Sequence, residues 1–173
     1  MSLYLYELAL TAPSREQAEL TIKRFDAAAA EAGGGLIETQ VTADHGRIFA
    51  ITEFADCQAP DFTAAALEVD AVDGPSQVRL VGAEIDQVKA ARPDAGYLVE
   101  WDIPAEIDMD TYLSRKAEKS PLYADVPEVA FLRTYVREDM AKCLCFYDAP
   151  DEQAVRHARD VVSTPVDRLH KLG

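Results

Sequence analysis

Cysteine, histidine and basic residues are the scarce components of this 173-residue chain: 3 Cys, 3 His and 17 Lys+Arg against 31 Asp+Glu, for a formal charge of −14. Three cysteines cannot make a disulfide framework. Cys57 stands alone, while Cys143 and Cys145 are one residue apart, so on a strand both would point to the same face. That spacing is not a zinc knuckle, and reduced thiols are expected. His45, His157 and His170 are scattered and form no metal-ligand spacing. The shortage of positive charge argues against unaided binding to nucleic acid or to a membrane surface. No apolar run approaches the roughly 18 to 20 residues that cross a bilayer. Met1 to Leu10 lacks a basic n-region and is broken by Thr11-Ala12-Pro13, so no secretory signal is read and the cytoplasm is the expected compartment. A phosphate loop, a glycine fingerprint and a serine with matching His and Asp are also missing.

What is present is globular: 49% hydrophobic and 28% charged residues, enough for one domain or two small ones. A repeat decides between these. Leu36 to Glu53 aligns without a gap on Phe131 to Asp148, placing Thr39 on Thr134, Val41 on Val136, Arg47 on Lys142 and Glu53 on Asp148. Tyr4-Leu5-Tyr6-Glu7 falls on Tyr97-Leu98-Val99-Glu100, and Arg79-Leu80 on Arg168-Leu169.

Each half then spells one series of elements. Tyr4 to Leu10 and Tyr97 to Ile103 read as opening strands. Ser14 to Ala32 reads as a helix with a capping box at Ser14 and Gln17 and a stop at Gly33-Gly34-Gly35; its counterpart runs from Asp108 to Lys119, before Pro121. Two strands joined by a turn follow, Leu36 to Thr42 with Arg47 to Phe54, and Ala130 to Val136 with Lys142 to Tyr147. Second helices are read over Asp61 to Asp70 and Asp151 to Val162, and closing strands over Gln77 to Ile85 and Val166 to Leu172. The series is βαββαβ, the ferredoxin-like plan. The expected fold class is therefore α+β. Residues 1–88 form a diverged ferredoxin-like repeat, 89–94 a linker and 95–173 a second repeat. The two are expected to pack sheet to sheet as a pseudo-dimeric α+β barrel or sandwich, monomeric as such or dimerising again. The first half holds 15 acidic and 5 basic residues, the second, from 89, 16 and 12, so the acidity belongs chiefly to the first.

Strand alternation separates the faces. Tyr97, Val99, Trp101 and Ile103 share an apolar face, which places Trp101 in the helix-covered core and Glu100 on the opposite side. Leu132, Val136, Leu144 and Phe146 suit the helix-covered core in the same way, leaving Arg133, Tyr135, Cys143, Cys145 and Tyr147 for the other face. On this reading Glu100, Arg133, Tyr135, Cys145 and Tyr147, joined by Glu7 from the first half, line a pocket between the sheets. The alternative is an inter-sheet ion pair, Glu7 or Glu38 with Arg133, that serves only docking.

Tyr97-Leu98-Val99-Glu100-Trp101, Arg133 to Val136, Lys142 to Pro150, Glu152 to Arg159 and Pro165 to Leu169, in that order, resemble a family of small bacterial ferredoxin-like domains of unknown function, named after a nickel-binding member. The resemblance covers Tyr97 to Gly173 and reaches the first half only through the repeat. It implies a ferredoxin-like sandwich that commonly dimerises, with nickel held by histidine-richer members through a His pair after the first strand and further His in the second helix. Here Trp101-Asp102 occupies the first place and only His157 the second, so no cofactor is the main expectation and nickel the lesser one. The family's recurring Glu, Tyr and Cys correspond to Glu100, Tyr135 and Cys145.

Three functions follow as expectations. The first is binding of a small molecule, or less readily a metal ion, between the sheets. The second is a cofactor-free enzyme of the α+β barrel kind with Glu100 as general base and Tyr135 or Arg133 steadying negative charge. The third is a ligand-free interaction protein.

Overall fold

Three side chains start three helices as the capping pattern predicts. Ser14 Oγ accepts from Gln17 N, Asp108 Oδ1 from Thr111 N and Asp151 Oδ1 from Ala154 N, each cap residue being extended. Each bond satisfies one backbone N–H that the first turn would leave orphaned. The computed structural model describes residues 1–91 and 95–173.

The elements in order are β1 (Ser2–Ala9), α1 (Arg15–Glu31), β2 (Gly35–Val41), β3 (Arg47–Phe54), α2 (Ala64–Leu67), β4 (Ala71–Val81), α3 (Ile85–Ala91), β5 (Tyr97–Asp102), α4 (Met109–Lys119), a 3-10 turn (Ser120–Asp125), β6 (Ala130–Arg137), β7 (Lys142–Asp148), α5 (Glu152–Val161) and β8 (Arg168–Lys171). They form two compact units. The first holds Met1–Val78, Ile85–Asp94 and Leu172–Gly173, and the second Arg79–Glu84 and Ala95–Lys171. Residues 79–84 thus group with the second unit and 172–173 with the first. The expected linker 89–94 is partly helix, since α3 runs to Ala91; residues 92–94 lie outside the described residues.

In the first unit the strands run β2-β3-β1-β4, all antiparallel, and in the second β6-β7-β5-β8. This is the order of a ferredoxin-like βαββαβ unit in both cases. A register shift interrupts β2 between Leu36 and Glu38 and β6 between Phe131 and Arg133, positions that the repeat alignment superposes.

Helix α1 turns Ala18, Thr21, Phe25 and Ala29 inward, at helical spacing, against Tyr4, Tyr6 and Leu8 of β1 and Ile48, Ala50 and Phe54 of β3. Phe25 and Tyr6 meet edge to face at 5.2 Å. In the second unit Tyr97, Val99 and Trp101 of β5 pack beneath Tyr112 of α4 and Val155 and Ala158 of α5. Trp101 is core, as its alternation predicts.

Departures from expectation are local. The second helix of the first unit, expected over Asp61 to Asp70, is a single turn, closed by Glu68 in the left-handed region at φ 53°. The fourth strand starts at Ala71 rather than Gln77, because a register shift between Leu5 and Glu7 lets Gly74-Pro75 bulge out of the β1–β4 ladder. Gly74 is required there, as a Cβ would stand 2.6 Å from Leu5 O. Helix α3 occupies residues read as strand end and linker; it buries Val88 and ties Lys89 to Glu53 at 2.6 Å.

The buried face of α1 gives a direct test. Phe25→Ala should destabilise by about 3–5 kcal/mol in guanidinium unfolding, and Leu20→Ala, on the exposed side of the same helix, by no more than about 0.5 kcal/mol. Equal losses would show that the face is misassigned.

Candidate functional site

The six residues expected to line one pocket fall into separate environments. Glu7 belongs to the first unit, where its Oε1 accepts from Arg47 Nη1 at 3.3 Å. Glu100, Arg133 and Tyr135 share the face of the second unit's strands that α4 and α5 do not cover, all at 2% exposure or less. There Arg133 stacks on the Phe146 ring at 4.9 Å and Tyr135 meets the same ring edge-on at 5.9 Å. Tyr135 and Glu100 both pair with Leu144, from opposite sides, so two strand spacings, about 10 Å, separate them.

Cys145 and Tyr147 lie on the other, helix-covered side, and their expected place beside Glu100 is corrected. Directly opposed residues of antiparallel strands share a face, and the register pairs Tyr97 with Tyr147, Val99 with Cys145 and Trp101 with Cys143. Every residue from Cys143 to Tyr147 is buried, so β7 offers no contrast in polarity to its reader. Leu144 and Phe146 are apolar and still face away from the helices. In β6 the register shift flips the alternation: Phe131 packs with Tyr123 and Tyr147 on the helix side, whereas Arg133 does not.

Glu100 is the centre of a cation cluster. Its Oε1 accepts from Lys142 Nζ at 2.6 Å, and its Oε2 from Arg168 Nε at 2.9 Å with His170 Nε2 at 2.8 Å. Arg168 also forks onto Asp102 at 2.5 and 3.0 Å. Burial pushes the Glu100 carboxyl up, but the bonds from His170, Lys142 and Arg168 outweigh it and hold the group at about 2. A base working near neutrality needs a much higher value and a free lone pair. Glu100 is a structural anion, and the role of general base is not supported by its surroundings.

Titratable groups also gather on the helix-covered side. Arg159 of α5 is 2% exposed. Its Nη1 donates to Tyr147 Oη at 3.1 Å and to Cys145 Sγ at 3.5 Å, and its Nη2 to Pro165 O at 2.7 Å. Arg159 Nε is buried with no hydrogen-bond partner among the described residues. Tyr123 and Tyr147 hydroxyls are 2.6 Å apart. Burial holds both phenols up and so neutral. Beside them opens a cavity of about 30 Å³, lined among others by Tyr112, Arg115, Lys116, Lys119, Cys145 and Arg159. That space holds about two waters. Arg115 lies 5.6 Å from the Trp101 ring and Lys116 4.4 Å from that of Phe131.

This whole arrangement lies between Trp101 and Pro165, inside the half that carries the family motif. Residues 97–172 match the model of the family described as nickel responsive protein SCO4226-like. No curated protein sequence matches the chain. Among solved structures, a protein provisionally assigned as a chlorite dismutase, TA0507, is similar in fold at 13% identity and TM-score 0.59, over 100% of this chain and 96% of that one. A protein provisionally assigned as a monooxygenase from Lactobacillus acidophilus is similar at 12% identity and TM-score 0.52, over 100% and 94%. Likeness at such identity shows the α+β ferredoxin-like fold alone.

The SCO4226-like half does not fit nickel. His157 is exposed on α5, His170 is bound to Glu100 and His45 belongs to the first unit. Among the described residues no group of three or more His, Cys, Asp or Glu could hold a metal ion. The softest donors, Cys143 and Cys145, share their cavity with four cationic side chains, which oppose a divalent cation.

The residues that sequence reasoning missed carried two signals. Tyr112, Arg115, Lys116 and Lys119 follow the i, i+3, i+4, i+7 spacing of one helix face, a basic stripe in an acidic chain. Arg159 sits in the apolar stripe Val155, Ala158, Val162, where helical period calls for a hydrophobe.

The depressed Glu100 group makes stability depend on pH. Its contribution is fully present above about 4.5 and is lost as pH falls toward about 2, with a span of about 3 kcal/mol. The stability gap between wild type and Glu100→Gln, measured by urea unfolding, should narrow by that amount between pH 6 and pH 2. A gap that stays constant with pH would remove the ion cluster from the account.

Proposed function

We propose that the protein binds a small anionic molecule of a few heavy atoms in the helix-side cavity of its SCO4226-like half. One observation carries this reading: in a chain of charge −14 the residues lining the cavity include four cations, Arg115, Lys116, Lys119 and Arg159, and no acid. Charges of one sign gathered on low-dielectric walls favour an oppositely charged ligand. The buried Nε of Arg159 supports it, since an unsatisfied guanidinium donor costs about 1–3 kcal/mol or more. Tyr112 and Tyr123 add neutral hydroxyls that can donate to an oxyanion. The volume argues against a drug-sized substrate, whose sites run to roughly 300–1,000 Å³.

The site stands on the opposite side of the sheet from Glu100, Arg133 and Tyr135. Those three belong to a buried layer in which Glu100 is ion-paired and Arg133 and Tyr135 pack on Phe146, an arrangement suited to holding the fold. We further infer that the two units descend from one duplicated unit. Their common strand order and their superposed bulges in β2 and β6 support this beyond the sequence alignment. In the acidic, drifted first unit the alignment places Ala50 where the second has Cys145 and Thr52 where it has Tyr147, so two groups of the cavity wall and of the Arg159 shell have no counterpart there.

Thermal unfolding at low ionic strength, with sulfate, phosphate, nitrate, formate or acetate against chloride and nickel chloride, tests the reading. A bound anion at about 100 times its Kd should stabilise by about 2.7 kcal/mol, with a saturable concentration dependence. Lys116→Gln with Lys119→Gln, both half-buried positions, should weaken that response at least tenfold in apparent Kd. The proposal fails if no oxyanion exceeds chloride, or if the response survives in the double variant.

A further inference from the structure

The cation-lined cavity also holds two thiols that anion binding leaves unexplained. Cys143 and Cys145 are neighbours on one face of β7, with Sγ atoms 3.9 Å apart, and both border the cavity. Around Cys145 Sγ stand two donors, Thr134 Oγ1 at 3.3 Å and Arg159 Nη1 at 3.5 Å, with the Cys143 thiol, which can donate or accept, at 3.9 Å. A neutral thiol is a weak acceptor and does not need such a set; a thiolate does. The Cys143 hydrogen bond lowers the Cys145 thiol well below its ordinary value, burial opposing and the charges of Lys116 and Arg159 assisting. The same hydrogen bond, with burial, raises Cys143, so one proton stays on that partner.

We propose that Cys145 is a peroxide-reactive thiolate and Cys143 its resolving thiol, a redox-modification site set in the wall of the cavity. The cavity volume selects the oxidant. Space for about two waters favours hydrogen peroxide, with two heavy atoms, over bulky hydroperoxides and glutathione. Cys145 S⁻ attacks one peroxide oxygen; the S–O bond forms, the O–O bond breaks, and hydroxide leaves to take a proton from solvent. Sulfur is oxidised to sulfenic acid by two electrons and the peroxide is reduced. Cys143 then attacks that sulfur, the S–S bond forms, the S–O bond breaks, and the Cys143 proton departs with the hydroxyl as water. Two residues along a strand span about 6.6–6.8 Å between Cα atoms, at the upper edge of what a disulfide bridges. The bond should accordingly be easy for a dithiol to reverse. The site needs only these sulfurs, their donors and the space, and does not depend on anion binding.

Exposed Cys57 supplies an internal control. The full chain is treated with a small excess of hydrogen peroxide, the remaining thiols are alkylated, and tryptic peptides are weighed. The expected result is that the peptide from Cys143 to Arg156 loses two hydrogens while Cys57 remains alkylatable, and that dithiothreitol reverses the change. In Cys143→Ser, dimedone should trap a sulfenic acid on Cys145. Lys116→Gln should slow the Cys145 reaction several-fold without altering that of Cys57, and a bulky alkyl hydroperoxide should react no faster at Cys145 than at Cys57. Oxidation of Cys57 first in the wild type, with the Cys143 to Arg156 peptide unchanged, would overturn the proposal without needing any variant to fold. Absence of a dimedone adduct on Cys145 in a folded Cys143→Ser protein, or an unchanged rate in Lys116→Gln, would overturn it equally.

Discussion

A guanidinium shed of nearly all its water must be answered by its surroundings, and the burial of Arg159 organises the second unit around that demand. Arginine does not give up its charge on burial, so the only recourse is to bring acceptors to it. Helix α5 delivers the side chain into the core from a position where a hydrophobe is due. Strand β7 answers with Tyr147 and Cys145, and the segment after α5 with the Pro165 carbonyl. Tyr147 in turn fixes Tyr123 of the 3-10 turn. None of the acceptors is a carboxylate. The positive charge is therefore shared among a phenol, a carbonyl and a sulfur, which leaves the cavity beside it net positive and draws the Cys145 thiol toward its ionised form.

The same sheet carries the opposite solution on its other face. Glu100 is an anion held by Lys142, Arg168 and His170, with both carboxylate oxygens occupied. Here charge and countercharge come from β5, β7 and β8, three adjacent strands, so that the network clamps their register. The contrast between the two faces matters more than either cluster alone. On the Glu100 side both oxygens of the carboxylate are bonded to cationic or imidazole donors, which suits architecture. The Arg159 side keeps an unused donor and a small space, and suits an external group.

Much of this was legible in the residues. The caps at Ser14, Asp108 and Asp151, the strand order implied by the βαββαβ series, and the helix-facing side of β5 follow from local chemistry and period, which do not depend on distant contacts. Alternation failed at β7 because both its faces are buried. Polarity then carries no directional signal, and Cys-Leu-Cys-Phe-Tyr reads equally well with either set inward. In β6 alternation placed Arg133, Tyr135 and Val136 as found and missed only Leu132, which falls at the bulge while Phe131 takes the helix-side place. Glu100 was legible as buried and acidic, but its partners come from Lys142 in another strand and from Arg168 and His170 in a third.

By itself, then, the sequence determined the class of fold, the helix starts, and the half that matches the family model, since these rest on neighbours within a few residues and on the period of each element. Tertiary structure alone decided which face of β7 meets the helices and that the α4 stripe of Tyr112, Arg115, Lys116 and Lys119 closes over Cys145 and Arg159. It also decided that Glu100 is neutralised where it lies. Those outcomes depend on pairing register and on the crossing of elements far apart in the chain. The physical reason is that a charge's role is set by what surrounds it in space, and the residues around Arg159 and Glu100 are assembled only when the strands and helices pack.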